Sequence, residues 1–369
     1  MFHYLKKLIQ SKPEKMISYA QYIAEALYHH KHGYYMREDE KIGRKGDYIT
    51  TSNISDIYGR AIAKWYKKLV QKYDLPASVC EIGAGNGRFA MAFLEEWHRE
   101  HQLPLQYFIA EASPYHLKKQ RDLLTNFPHV KQISNLEEIK PFKGMVFSNE
   151  LFDALPVHVI ERNNGQLYEI MVAAEHNELI EKKVPLENEQ IHRFLKKNQL
   201  VLNENQRIEI PLEMERMLAG ISNMMELGLV VTADYGYTTD EWMEPYRRNG
   251  SLRGYYDHKM FYNVLENPGE MDITSHVHFD ALIREGEELG LHLLIKQRQD
   301  EFLLSIGLLM ELEESYDPNP FSETSKRNRA IRSLILPDGM SGSFHIIIQQ
   351  KNLHLLPEQL FPFNKKSNG

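Results

Sequence analysis

Three glycines at alternate positions mark the stretch of this 369-residue chain whose residue types and spacing most directly suggest chemistry. Gly83, Gly85 and Gly87 follow the short apolar run 79–82, and a helical pattern of apolar residues resumes at Phe89. Glycines permit positive φ and let a ligand approach the main chain closely. The stretch therefore predicts a strand, a ligand-binding turn and the start of a helix.

The spacing of these glycines separates two classes of ligand. A dinucleotide fingerprint requires glycine or alanine at the position of Arg88, so we rank a nicotinamide oxidoreductase last. With Glu81, the pattern Glu-x-Gly-x-Gly-x-Gly resembles motif I of the class I S-adenosylmethionine (SAM) dependent methyltransferases. SAM carries a sulfonium charge, an amino acid end and a ribose diol, which carboxylates and backbone amides complement. We predict that Glu81 binds the amino acid end and that Glu111, which ends the next strand, binds the diol.

A second polar stretch lies at the end of the fourth predicted strand, 144–150. It contains Asn149, Glu150 and Asp153, which we place beside the methyl group that SAM would carry. Asn149 is predicted to contact the cofactor, and Glu150 and Asp153 are predicted to be catalytic. The alternative for Asp153 is that it caps a helical turn.

His276 is the third candidate, because the pKa of an unperturbed histidine lies near neutrality and the side chain can accept a proton. The alternative for this stretch is a structural one, in which Asp272 or Thr274 caps the helix that follows. The glycine-punctuated basic loop 42–55 has two interpretations as well, a lid over the SAM pocket or a surface loop.

Strand and helix patterns alternate along the chain, which predicts a parallel, doubly wound α/β sheet with ligands at the carboxyl ends of its strands. The seven strands are expected at 79–82, 105–111, 126–133, 144–150, 229–234, 291–296 and 343–350. Helices are expected at 17–30, 56–73, 212–227, 279–289 and 301–314, with Ser18 as the cap of the first.

The same patterns predict how the chain is divided. Residues 1–75 are expected to form a helical region with the lid loop, 76–350 a Rossmann-like core, and 351–369 a C-terminal tail. The core is expected to carry two insertions. The insertion at 157–205 begins as a β-meander, and the insertion at 237–276 is a long polar loop suited to binding a substrate.

Composition limits the partners and the location. Hydrophobic residues make up 42% of the chain and charged residues 26%, as in globular proteins. A net charge of -7 argues against general nucleic-acid binding. No apolar run is long enough for a membrane span, and Cys80 is the only cysteine, so we expect a cytoplasmic protein that does not bind membranes. No metal is expected, because nothing completes a site around the histidines near residue 30.

Taken together, these stretches resemble the MidA-like SAM-dependent methyltransferase family, which includes a mitochondrial complex I assembly factor that methylates a protein arginine. The resemblance extends over roughly residues 17 to 350 and is carried by the motifs at 32–35, 43–50, 81–87, 148–156, 234–236, 252–255 and 272–277. It implies a class I methyltransferase fold with N-terminal helices and an inserted region, and SAM as the cofactor. It also favours function for the lid loop, where Thr50 is predicted to contact the cofactor, and for 272–276.

The resemblance makes a protein arginine the preferred methyl acceptor. Arginine stays protonated in proteins, so carboxylates must orient its guanidinium by bidentate pairing, a role predicted for Glu150 with Asp153 as its neighbour. Two alternatives stay open, an assembly factor that docks a partner on the β-meander and a small-molecule methyltransferase. A protein substrate is therefore the expected partner, and a homodimer is one option for the oligomeric state.

Overall fold

The computed structural model describes residues 1–38, 56–99, 103–312, 319, 322–336 and 340–361. The chain folds as two compact units, each assembled from separated segments. The first unit comprises the described residues of Met1–Tyr48, Leu151–Ala219 and Gly236–Glu285. The second unit comprises those of Ile49–Glu150, Gly220–Tyr235 and Gly286–Gly369.

Strands and α-helices are numbered here in chain order. The strands are β1 (Met16–Ser18), β2 (Ser78–Ile82), β3 (Gln106–Ala110), β4 (Lys131–Ile133), β5 (Phe142–Asn149), β6 (His158–Asn163), β7 (Gln166–Glu175), β8 (Glu178–Pro185), β9 (Arg207–Ile210), β10 (Met225–Tyr237), β11 (Arg253–Tyr256), β12 (Lys259–Phe261), β13 (Asp272–Thr274), β14 (Val277–His278), β15 (His292–Arg298) and β16 (Phe344–Lys351). The helices are α1 (Phe2–Ser11), α2 (Tyr19–Tyr28), α3 (Ile57–Tyr73), α4 (Arg88–Arg99), α5 (Pro114–Leu123), α6 (Glu189–Lys197), α7 (Leu212–Met224), α8 (Thr239–Trp242), α9 (Phe279–Glu288), α10 (Gln299–Ser305) and α11 (Glu323–Ile335).

The second unit is organised around a sheet with the strand order β15-β16-β10-β5-β2-β3-β4. These are the seven predicted strands, and their order confirms the doubly wound class I methyltransferase fold. The prediction of a wholly parallel sheet is wrong, because β16 runs antiparallel to both β10 and β15. Central strands of this kind are buried on both faces and read as apolar runs, and such runs carry no information about strand direction.

The register of the central strands aligns the predicted cofactor residues at one edge of this sheet. Ile82 of β2 pairs with Ala110 of β3 on one side and with Ser148 of β5 on the other, and all three strands are parallel. The glycine turn follows β2, and Glu111 follows β3. Asn149 is the last residue of β5, and Glu150 follows it. Carboxyl ends of neighbouring parallel strands are where open α/β sheets bind their ligands.

Large aromatic side chains fill the core of the second unit. Phe93 and Trp97 of α4 stack with ring centroids 5.7 Å apart, and Trp65 of α3 is fully buried. The indole Nε1 of Trp65 donates a hydrogen bond to the carbonyl oxygen of Leu360, 2.7 Å away. The chain after β16 therefore belongs to the core at least as far as this residue. Among the described residues, no helix has both the length and the apolar character needed to span a membrane.

The first unit contains an antiparallel sheet with the order β1-β7-β6-β9, and β8 pairs with β7. Strands β6, β7 and β8 confirm the predicted β-meander. The hairpin between β6 and β7 turns at Asn164 and Gly165, whose φ values of 50° and 76° fit a tight turn of this type. The N-terminal helices pack on this sheet, with Leu5, Ile9 and Tyr22 fully or almost fully buried.

Several predicted boundaries are wrong, and tertiary pairing explains most of them. The helix expected at 17–30 begins at Tyr19, because β1 pairs with β7; the Oγ of Ser18 does accept a hydrogen bond from the Gln21 amide, as predicted. The strand expected at 126–133 is only β4, and, within the described residues up to 312, the α-helix expected at 301–314 ends with α10 at Ser305. The helix expected at 212–227 ends at Met224, because the chain continues directly as β10.

The region predicted as a long polar loop, 237–276, contains several short regular elements. It contains α8 and a small antiparallel sheet with the order β12-β11-β13. Directly after it, β14 pairs in parallel with Gly236 and Tyr237 at the end of β10. Periodicity did not predict this sheet, because its strands are short and contain glycines and polar residues.

Candidate active site

The glycine turn follows β2 in the conformation that its residue types permit. Gly83, Gly85 and Gly87 have φ values of 73°, 53° and 82°, a left-handed region that other residues rarely adopt. The amide of Gly83 donates to the carbonyl oxygen of Ala110 at 2.9 Å, which holds the turn against the end of β3. Helix α4 begins immediately after the turn, so its free amides face the same edge of the sheet.

Glu111 joins the glycine turn to the segment after β3. Its Oε2 accepts from the Gly85 amide and its Oε1 from the Ser113 amide, both at 2.9 Å. On the other side of the turn, the Gln120 side chain donates to the carbonyl oxygen of Gly85 at 2.7 Å. Burial raises the pKa of the Glu111 carboxyl, while the amide donors oppose that rise. Each carboxylate oxygen keeps a further lone pair, so a diol can still be bound.

Glu81 lies in the buried part of β2, where the carboxyl oxygen Oε2 accepts a hydrogen bond from the Tyr107 hydroxyl at 2.6 Å. The pKa of Glu81 is raised to about 8, chiefly by burial; the hydrogen bond from Tyr107 opposes the rise and the nearby charge of Glu111 adds to it. The carboxyl group is therefore largely protonated at neutral pH. A cationic ligand close to it would favour the ionised form.

Glu150 occupies a strained backbone position directly after β5. Its φ is +52°, which a non-glycine residue adopts at a cost, and its amide donates to the carbonyl oxygen of Ala233 at 3.0 Å. The Nδ2 of Asn149 donates to Oε1 of Glu150 at 2.9 Å. Among the described residues, nothing hydrogen-bonds the buried Oδ1 of Asn149. A hydrogen-bond donor of a ligand would satisfy this atom.

Tyr58 is a neighbour of Glu150 that sequence reasoning missed. The side chain is fully buried in α3, and its pKa is raised by burial and then by the charge of Glu150. Within the described part of the chain, its hydroxyl has no hydrogen-bond partner. The helical pattern of α3 indicates only that this tyrosine is a core residue. Nothing in the sequence showed that the charge of Glu150 acts on its hydroxyl.

The other two predicted catalytic residues lie in the first unit, where the structure brings their segments together. The carbonyl oxygen of Asp153 accepts a hydrogen bond from the Ser275 amide at 2.9 Å, next to His276 in the chain. The His276 amide in turn donates to Oγ of Ser251 at 2.9 Å. Asp272 does not cap a helix, since it begins β13 and accepts a hydrogen bond from the Tyr35 hydroxyl.

His276 belongs to a stack of rings that the sequence did not reveal. Its imidazole lies parallel to the ring of Tyr237, with centroids 4.3 Å apart, and the guanidinium of Arg247 lies 3.5 Å from the centroid of the Tyr237 ring. Burial, together with the smaller effects of the Arg253 and Arg247 charges, lowers the pKa of His276 to about 4. At neutral pH the imidazole is uncharged and can accept a proton, although weakly.

The predicted residues therefore fall into two sets. The second unit holds Glu81, Gly83, Gly85, Gly87, Glu111, Asn149 and Glu150, and the first unit holds Asp153 and His276. Thr50 and the predicted lid loop 42–55 lie outside the described residues. The side chains and amides of the second unit fit SAM by their chemistry, because they offer carboxyl groups and backbone donors to a ligand with a cationic centre and a diol.

Comparison with known proteins identifies the family. Residues 59–297 match the family model described as "Putative S-adenosyl-L-methionine-dependent methyltransferase". A Burkholderia thailandensis protein crystallised with bound S-adenosyl-homocysteine superposes with a TM-score of 0.88 at 24% identity, covering 99% of this chain and 95% of that one. A native crystal structure of a COG1565 superfamily protein from the same organism has a TM-score of 0.85 at 23% identity, with the same coverage.

Two curated relatives illustrate the sequence likeness. The mitochondrial protein arginine methyltransferase NDUFAF7 homolog of Drosophila melanogaster is 25% identical over 319 residues, which are 77% of this chain and 69% of the relative. The human mitochondrial protein arginine methyltransferase NDUFAF7 is 23% identical, covering 97% of this chain and 83% of the relative. Because these relatives are mitochondrial, the prediction of a cytoplasmic protein is wrong. The family match covers well over half of the chain, so the chain belongs to the MidA-like family of methyltransferases, and its cofactor is S-adenosylmethionine.

Proposed function

We propose that this chain transfers the methyl group of SAM to an arginine side chain of a protein. The names of the Drosophila and human relatives support arginine as the acceptor. On this chain, the strongest support comes from the position of Glu150. This carboxylate has a strained backbone conformation directly after β5, and β5 pairs with β2, the strand that leads into the glycine turn. Strained residues that the surrounding fold maintains are often functional.

The cofactor is proposed to lie at the carboxyl ends of β2, β3 and β5. The glycine turn offers main-chain groups to the amino acid end, Glu81 offers a carboxyl group to its charge, and Glu111 offers acceptors to the ribose diol. Asn149 contributes its buried Oδ1, which has no other hydrogen-bond partner within the described residues. The proposed cofactor-binding residues are Thr50, Glu81, Gly83, Gly85, Gly87, Glu111 and Asn149.

Glu150 is proposed to orient the acceptor. When bound, SAM supplies an electrophilic methyl group on a sulfonium. The carboxylate of Glu150 can accept two parallel N–H bonds from a guanidinium, which draws positive charge toward those two nitrogens and leaves the third as the reacting atom. Asn149 fixes the carboxylate through its 2.9 Å hydrogen bond. For Asp153 and His276 we propose the predicted roles of an acidic neighbour of the acceptor and a proton acceptor.

The experiment is methyl transfer from radiolabelled SAM to the proteins of a cell extract, followed by acid hydrolysis and separation of the amino acids. The proposal predicts a labelled protein band and label in methylarginine. The Glu150→Gln variant should lose at least about a hundredfold in rate, on the scale of a lost orienting contact, and should bind SAM within a few-fold of wild type. Binding is measured by titration calorimetry.

A matched control is Glu301→Gln, which alters an exposed glutamate on α10 in the second unit. This variant should retain wild-type rate and SAM affinity. Label found only in small metabolites would reject a protein acceptor and favour a small-molecule methyltransferase. Full turnover by the Glu150→Gln variant would remove Glu150 from the mechanism. Binding of SAM without any labelled product would favour an assembly factor that acts by docking.

A further inference from the structure

The first unit contains a cavity of about 520 Å³ that the proposed function does not use. Segments around β8, β9 and β11 supply its walls, and three of its lining residues are Arg207, Arg248 and Arg253. We call it the arginine cavity. Its volume lies in the range of sites that bind small molecules or side chains of a partner.

Two of the acidic residues that line the arginine cavity are already neutralised. Glu181 receives two hydrogen bonds from the Arg207 guanidinium, at 2.9 and 2.5 Å, and a third from the Tyr19 hydroxyl at 2.6 Å. Glu161 forms an ion pair with Lys183, 2.5 Å away. The charges of these acids are therefore not available to balance the remaining arginines of the cavity.

Arg248 and Arg253 have no carboxylate partner among the residues that the structure describes. The Arg253 guanidinium donates to the carbonyl oxygen of Leu252 at 2.7 Å and lies 4.6 Å from the ring centroid of Tyr262. Arg248 is exposed, and no hydrogen bond or ion pair to its side chain is found within the described ranges. The cavity thus has an excess of positive charge, although the whole chain carries a net charge of -7.

A buried carboxylate holds the segment that presents these two arginines. Oε2 of Glu209 accepts from both the amide and the hydroxyl of Ser251 at 2.9 Å, and the Glu209 side chain is 1% exposed. The amide of Arg207 donates to the carbonyl oxygen of Arg248 at 2.7 Å. On the far side of Ser251, Arg253 begins β11, which pairs with β13. These contacts hold the backbone that carries Arg248 and Arg253 in place.

Exposed side chains beside the arginine cavity have the composition of a protein interface. Tyr262, which lines it, is 71% exposed, and Met260 of the adjoining hairpin of β11 and β12 is 47% exposed. Tyrosine, methionine and arginine are enriched at protein interfaces, and arginine and tyrosine often supply most of the binding energy. A ligand that reaches Arg248 and Arg253 while covering this hairpin is larger than a metabolite.

We propose that the arginine cavity binds a carboxylate side chain carried by an acidic segment of a partner protein. Arg248 and Arg253 supply guanidinium groups for that carboxylate, and the hairpin of β11 and β12 contacts the adjoining residues. Guanidinium and carboxylate groups match in geometry as well as in charge. The inference goes beyond the proposed function, because it holds whether or not the partner is also the methyl acceptor.

The test uses the full chain without SAM and titration calorimetry with two capped peptides, hexaglutamate and hexaglutamine. Wild-type protein should bind hexaglutamate, more weakly as salt increases, and should not bind hexaglutamine measurably. Arg248→Ala should weaken hexaglutamate binding at least about tenfold, as the loss of one charge-assisted pair predicts. The matched control Arg193→Ala removes an exposed arginine of α6 that does not line the cavity, and it should bind within twofold of wild type.

Three results would overturn the proposal: no binding of hexaglutamate, equal binding of hexaglutamine, or unchanged affinity in the Arg248→Ala variant. Free glutarate carries a glutamate-like carboxylate at each end without a protein segment. If glutarate binds more tightly than the peptide, the assignment to a partner protein is wrong. Because no methyl transfer is measured, failure here leaves the proposed methyltransferase activity untouched, and failure of the radiolabel experiment leaves this proposal untouched.

Discussion

At the scale of single residues, the carboxyl group of Glu81 combines deep burial with a raised pKa. The group is buried, it is paired with the neutral hydroxyl of Tyr107, and its pKa is raised to about 8. Ionising it without a ligand is unfavourable, whereas a positively charged donor nearby would offset part of that cost. The sequence identified Glu81 from its spacing to the glycines, but only the packing of β2 against β3 revealed its protonation state.

The raised pKa of Glu81 leads to a prediction for stability. In the folded state this group binds a proton between pH 4.5 and 8 that it has lost in the unfolded state, so the free energy of unfolding falls as pH rises through this window. Glu81→Gln removes this dependence. Relative to the variant, wild-type protein should lose about 3 to 4 kcal/mol of unfolding free energy between pH 5 and pH 8, because each pKa unit corresponds to about 1.36 kcal/mol.

Chemical denaturation at a series of pH values measures this difference. Glu301→Gln, the exposed control on α10, should follow the wild-type pH dependence throughout. Parallel curves for wild type and Glu81→Gln would show that the carboxyl group does not keep its proton in the folded protein. A wild-type curve that rises with pH relative to the variant would show that the pKa is lowered instead.

The residues of the site also show which properties could not be predicted from the sequence. Glu150 was predicted from its position after an apolar strand, but its positive φ and its hydrogen bond to Asn149 depend on how β5 ends against β10. His276 was predicted from its chemistry, and the ring of Tyr237 beside it comes from a distant strand. Short polar motifs predict which side chains are present, whereas tertiary contacts decide their pKa values and neighbours.

At the scale of elements, the apolar runs predicted the seven strands of the core sheet, because most of these strands are buried and continuous. The same reasoning missed helices α1 and α6 and strand β9, and it took the hairpin of β11 and β12 for a loop. These elements are short or amphipathic, and their stability comes from partners elsewhere in the chain. The glycine turn is the element whose conformation and role follow most directly from residue type.

Gly87 gives a prediction at this scale. At φ +82° an alanine is strained, and its Cβ would lie 3.0 Å from Cγ of Gln120, whose amide holds the carbonyl oxygen of Gly85. Gly87→Ala should therefore distort the turn and weaken SAM binding about tenfold or more. Gly165→Ala is the matched control, because it has a similar φ of +76° but nothing within 4 Å of its Cβ.

Both variants should be destabilised by about 1 kcal/mol from the backbone conformation alone. Titration calorimetry with SAM and thermal unfolding separate the two effects. Equal SAM affinity in the Gly87→Ala variant and wild type would mean that the turn does not touch the cofactor. A loss of affinity in Gly165→Ala would mean that the assay reports general destabilisation.

At the scale of the whole molecule, neither compact unit is a continuous segment of the chain. The second unit draws its sheet from three separated stretches, and the proposed cofactor-binding residues described here all lie in it. The N-terminal helices and the β-meander, which the sequence suggested as separate additions, fold together in the first unit with hydrophobic side chains such as Ile23 and Val172 in one cluster. Periodicity could not predict this association, because it depends on contacts far apart in sequence.

The location of the proposed cofactor-binding residues predicts which backbone amides are protected when a ligand binds. S-adenosyl-homocysteine at about a hundred times its Kd should stabilise the folded protein by about 2.7 kcal/mol. Hydrogen exchange should slow at 83–88, 111–113 and 149–150, because these amides adjoin the proposed site, while amides of β6, β7 and β8 in the first unit keep their rates. ATP, which shares the adenosine but lacks the amino acid end, should give no such protection. Unchanged exchange at 83–88, or equal slowing across the β-meander, would contradict a cofactor site at the ends of β2, β3 and β5.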